Sequence, residues 1–62
     1  MRIEFSTDNA AFCDPETGEH DNYYLRHECA HILYEIKEKV LMKYTSGVIL
    51  DSNGNKIGEW SL

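Results

Sequence analysis

Basic side chains are missing from most of the first third of this chain. Between residues 3 and 25 there is no lysine or arginine, while Glu4, Asp8, Asp14, Glu16, Glu19 and Asp21 give the stretch a net charge of −6. Outside it, five acids face six bases, so the overall charge of −5 is concentrated near the N-terminus. Such a field repels phosphate, so direct binding to nucleic acid is not expected; it favours a partner with a basic surface. Long apolar runs are missing as well. No stretch approaches the roughly 18 residues a membrane span needs, so no membrane partner is expected. Met1–Ser6 shows neither an apolar run nor a small-residue cleavage site, so a secretory leader is not expected and the cytoplasm is the expected location. There is one proline, no glycine-rich phosphate loop and no internal repeat. The two cysteines, Cys13 and Cys29, fit reduced thiols better than a disulfide framework.

The chain's 62 residues, 42% of them apolar, suffice for one small domain. A domain of this size buries only about 60% of the surface its unfolded chain exposes. That excludes a deep substrate cleft or a second domain. Arg2-Ile3-Glu4-Phe5 alternates polar and apolar residues, which predicts a strand over residues 2–6. Residues 7–21 read as a long acidic loop with Phe12 as its one large apolar anchor and a turn at Asp14-Pro15-Glu16-Thr17-Gly18.

A helix is predicted over residues 22–44, capped by Asp21 or Asn22, with lysines in its last turns. Leu25, Cys29, Ile32, Leu33, Ile36 and Val40 form its apolar stripe. Residues 47–61 read as a hairpin turning at Asn53-Gly54, the signature of a type I′ turn. Its register pairs Leu50 with Ile57 for a two-residue turn, or Ile49 with Ile57 across a bulge. The order β-α-β-β predicts an α+β domain: a three-stranded antiparallel sheet with one long helix packed on one face.

One motif has the pattern of a catalytic centre. His27-Glu28-Cys29-Ala30-His31 matches H-E-x-x-H, in which two imidazoles one helical turn apart hold zinc and the glutamate activates a metal-bound water. On the predicted helix, however, both histidines lie opposite the apolar stripe, with no third ligand after His31 and no second wall for a cleft. The expectation is therefore no enzyme, no cofactor and no metal, with zinc binding or a metallopeptidase-like protein through His27 and His31 as the alternative. The same helix face offers a contact surface, since Tyr24, His27, His31, Tyr34 and Glu38 recur at spacings of three and four. Asp51-Ser52-Asn53-Gly54-Asn55 begins like a calcium loop, but Lys56 and Leu62 stand where that loop needs Gly and Glu, so it reads as a turn.

Three blocks carry a resemblance that spans nearly the whole chain. Thr7-Asp8-Asn9-Ala10-Ala11-Phe12, Glu28-x-Ala30-x-Ile32-Leu33 and Asp51-x-Asn53-Gly54-Asn55-x-Ile57-Gly58-x-Trp60 resemble short phage- and prophage-encoded proteins of unknown function. The resemblance implies a protein of an infected or lysogenic bacterium, and brings no catalytic residues with it. His31 stands where those proteins often carry arginine, and the acidic stretch Asp14–Asp21 and the Tyr23-Tyr24 pair depart from their pattern. The resulting expectation is a small acidic, non-enzymatic protein-binding module. In it, Asp8, Asp14, Glu16, Glu19 and Asp21 dock on a basic host surface, and Tyr24, His27, His31 and Tyr34 supply the anchors. Such a module would inhibit a nucleic-acid-handling host complex, for example a CRISPR or restriction defence. A homodimeric structural protein is the remaining alternative.

Overall fold

The computed structural model describes residues 1–8, 10–19 and 22–62. Its order is β1 (Arg2–Phe5), a 3-10 turn (Ala10–Phe12), α1 (Asn22–Leu41), β2 (Ser46–Leu50) and β3 (Lys56–Ser61). The strands form one antiparallel sheet in the order β1-β3-β2. This is the expected α+β architecture. Ile3 pairs with Trp60 and Phe5 with Gly58, while Gly47 pairs with Trp60 and Ile49 with Gly58. Residues directly opposite share a face, so Ile3, Phe5, Ile49 and Trp60 line the inner side. Arg2, Glu4, Val48, Glu59 and Ser61 line the outer side, which is the polar-out alternation of a sheet covered on one face.

The core consists of Phe12, Ile32, Ile36, Ile49 and Trp60, with Phe5, Ala11, Leu25, Cys29, Val40 and Ile57 packed against it. Phe12 is fully buried and its ring stacks on Phe5 at 6.4 Å, so the single large apolar residue of the acidic segment pins that segment to the domain. The turn at Asp14–Gly18 forms as expected: the Gly18 amide donates to the Asp14 carbonyl and the Glu16 amide to the Asp14 carboxylate. No disulfide links Cys13 to Cys29. Among the described residues, no helix is long and apolar enough to cross a membrane. The 20-residue helix is about 30 Å long at 1.5 Å per residue, and it draws the molecule out to 39 × 18 × 16 Å.

Several boundaries differ from the sequence reading. β1 stops at Phe5, although the Ser6 amide still donates to the Ile57 carbonyl. α1 stops at Leu41 rather than residue 44, because Lys43 turns into the left-handed region at φ 72°. The Tyr44 amide then bonds to the Lys39 carbonyl and the Lys43 amide to the Val40 carbonyl, closing a Schellman cap on a residue that is not glycine. Asn22 is the first helical residue; Asp21, the other expected cap, lies outside the described residues, as do His20 and Asn9.

Neither expected hairpin register occurs. Ile49 pairs with Gly58 and Leu50 with Lys56, leaving Ile57 as the extra residue of a bulge. The turn runs over Asp51–Gly54, closed by the Gly54 amide on the Asp51 carbonyl. Gly54 has a positive φ of 84° and Asn53 does not, so the turn is not type I′. In the central strand, a Cβ at Gly58 would collide with the Glu4 carbonyl and approach the Phe5 backbone to 2.5 Å. Only glycine lets β1 come this close.

Two outcomes follow. Lys43→Gly removes the left-handed strain and should raise stability by about 0.5–1 kcal/mol, read as a higher melting temperature. Gly58→Ala should lower it by about 2 kcal/mol or more through displacement of β1, read as a lower urea midpoint.

Candidate functional site

The helix presents its faces differently from the expectation, and one side chain accounts for the difference. Glu28 is 7% exposed and sits among the core-facing positions of α1. Its Oε2 accepts the Ser52 amide at 3.0 Å and the Ser52 hydroxyl at 2.6 Å. Ser52 belongs to a loop that is itself cross-braced, with the buried Asp51 accepting the Asn53 and Asn55 amides, each at 2.9 Å. Glu28 therefore ties the helix to the tip of the hairpin.

At 100° per residue, with Leu25 at zero, the core-facing positions Leu25, Glu28, Cys29, Ile32, Ile36 and Val40 centre at about 5–10°, against about 30° for the apolar stripe. The presence of Glu28 rather than Leu33 on the inner face turns the helix by roughly 25° relative to the expectation, while the other five stripe residues pack on the core as expected. As a result Leu33, assigned to the core from its spacing, is 49% exposed. The same turn carries Tyr24, on the opposite flank, inward, and it is half-buried.

The three side chains of the H-E-x-x-H match diverge. His27 and His31 are exposed, as expected from the helical wheel. The His27 ring packs on Tyr23 with centroids 4.2 Å apart, and His31 Nε2 lies 3.1 Å from Glu35 Oε1. Glu28 points inward to Ser52, away from any water those imidazoles could hold. Among the described residues, no group of three or more His, Cys, Asp or Glu is placed to hold a metal ion. The chemistry of the motif needs the glutamate beside the metal-bound water, and this geometry does not bring it there.

What the solvent side of α1 does bring together is a ridge. Tyr23 (61% exposed), His27, Ala30, Tyr34 (57%) and Leu41 (68%) centre near about 160°, opposite the buried side. Lys37 lies along it, its Nζ 5.0 Å from the centre of the Tyr34 ring. Of the partner-binding residues expected on the helix, His27 and Tyr34 stand on this ridge, His31 on its shoulder and Tyr24 off it. Among the acidic candidates, Asp8, Glu16 and Glu19 are exposed. Asp14 is half-buried and engaged in its turn, and Asp21 lies outside the described residues.

Sequence reasoning missed the Glu28–Ser52 link. The available signal was the spacing of Glu28, Ile32 and Ile36, three positions four apart, read together with a tight hairpin loop whose amides need acceptors. No protein-family model, no curated protein and no solved structure matches the chain.

Glu28→Ala should cost about 2–3 kcal/mol, because it strands a donor and opens a gap in a small domain. Ser52→Ala should cost about 1 kcal/mol, and a double-mutant cycle in urea should return a coupling of about 1–2 kcal/mol. Additive effects would show that the two groups do not meet.

Proposed function

We propose that this chain is a small acidic, non-enzymatic protein-binding module of phage or prophage origin, docking on a basic surface of a host protein in the bacterial cytoplasm. The observation that carries this reading is an uncompensated field. Among the described residues the ion pairs are Arg2–Glu4, His31–Glu35 and Lys37–Glu38, and none involves Asp8, Asp14, Glu16 or Glu19. Phe12 and the Asp14 turn hold that acidic segment in place, so less ordering entropy opposes docking than for a loose loop.

A basic surface with this complementarity is typical of proteins that grip phosphate backbones. Occupying it inhibits a nucleic-acid-handling complex, of which CRISPR and restriction defences are examples. The ridge on α1 supplies a second, aromatic contact surface. Glu28's engagement with Ser52 supports this reading over the zinc alternative, since it removes the base that hydrolysis requires.

Affinity capture from bacterial lysate tests the proposal. Reversing Asp8, Glu16 and Glu19 to lysine, with Asp14 left intact for its turn, should weaken retention of the captured protein by at least about tenfold. Retention should also fall as salt is raised. Capture indifferent to both changes would remove the electrostatic basis of the reading.

A further inference from the structure

We infer that the α1 ridge is filled by a second copy of this chain, the two helices packing antiparallel across a two-fold axis near residue 32. The inference rests on the reading of the ridge as a contact surface and names its occupant.

The first support is spacing. Tyr23, His27, Ala30, Tyr34, Lys37 and Leu41 follow one another at four, three, four, three and four residues, the repeat that keeps one seam facing a partner helix. This seam runs the whole length of α1 on the side away from the sheet, so the domain is already covered on the other side and two copies stack as sheet, helix, helix and sheet. The helix thus carries apolar or aromatic residues on two opposite faces. Among the described residues the buried core lies on one of them, while Tyr23, Tyr34 and Leu41 on the other stay more than half exposed.

The second support is self-complementarity. In an antiparallel pair centred at residue 32, Ala30 of one copy meets Tyr34 of the other, twice. A small residue faces a large one on both sides of the axis. Tyr23 meets Leu41, closing the ends with apolar layers, and the exposed Leu33 side chains approach each other on one flank.

Charge decides the orientation. A parallel pair stacks Lys37 on Lys37 and Ala30 on Ala30, and sets the helix dipoles side by side in the same sense. The antiparallel pair separates the lysines, setting each against His27 of the other copy as a polar layer that fixes register at a cost in stability, and it opposes the dipoles. Two 20-residue helices in such contact bury on the order of 1,200 Å² in total, the lower end of specific interfaces, so a reversible dimer is expected.

Sedimentation of the full chain up to millimolar concentration tests this. The expected mass is twice 7.2 kDa, falling to the monomer on dilution. Ala30→Glu keeps a good helix former at an exposed position, so helical circular dichroism should persist while the dimer weakens by at least about a hundredfold. Glu59→Lys, on the outer side of the sheet, should leave the mass unchanged. Mixed Ala30→Cys and Tyr34→Cys chains should cross-link to each other in preference to like with like. A monomer at every concentration, a dimer indifferent to Ala30→Glu, or preferential Ala30→Cys homodimers would overturn the inference. None of these results bears on capture through the acidic segment, which is scored separately by the charge-reversed variant.

Discussion

A buried carboxylate needs hydrogen-bond donors, and in this chain that requirement orients the helix. Glu28 finds its donors in the amide and hydroxyl of Ser52 at the tip of the hairpin. Once that link is made, the rotation of α1 about its axis is set. Ile32 and Ile36 point into the core, Leu33 is turned out, and both imidazoles of the H-E-x-x-H match stand in solvent. The outward ridge follows from the same rotation. Without Glu28 the apolar stripe alone would place the helix roughly 25° differently.

The rest of the domain is economical. Among the described residues five form the buried cluster, supplied by the 3-10 turn, α1, β2 and β3, with Phe5 of β1 packed against it. Phe12 ties the acidic segment to α1 and β1, Trp60 fills the centre of the sheet, and Gly58 lets β1 lie close against β3. With so small a core, polar ties such as Glu28–Ser52 and the Asp51 brace carry a large share of the specificity of packing.

Much of the fold was legible because it rests on local rules. The alternation of Arg2–Phe5, the role of Phe12 as an anchor, the turn at Asp14–Gly18 and the long helix are each written in a few neighbouring residues. The misread details depend on partners distant in sequence or on backbone that side chains do not announce. Lys43 occupies a left-handed position that its residue type does not advertise, so the helix ends three residues early. Ile57 became a bulge because the hairpin turn closes over Asp51–Gly54 rather than around Asn53-Gly54. Leu33 and Tyr24 were misplaced together, by one cause, since a glutamate on the core side of a helix is invisible until its donor 24 residues away is known. The acidic candidates were legible as charge, but that Asp14 serves its own turn was not.

Function in this account follows from two features: an acidic segment that enters none of the ion pairs among the described residues, and an aromatic ridge that the sheet does not cover. The ridge depends on the orientation of α1. The most direct test is the amide resonance of Ser52 in a nitrogen–proton correlation spectrum. The account predicts slow hydrogen exchange at that amide and a large shift in Glu28→Gln. A rapidly exchanging Ser52 amide that ignores Glu28→Gln, together with zinc perturbing Glu28, His27 and His31 as one group, would contradict it.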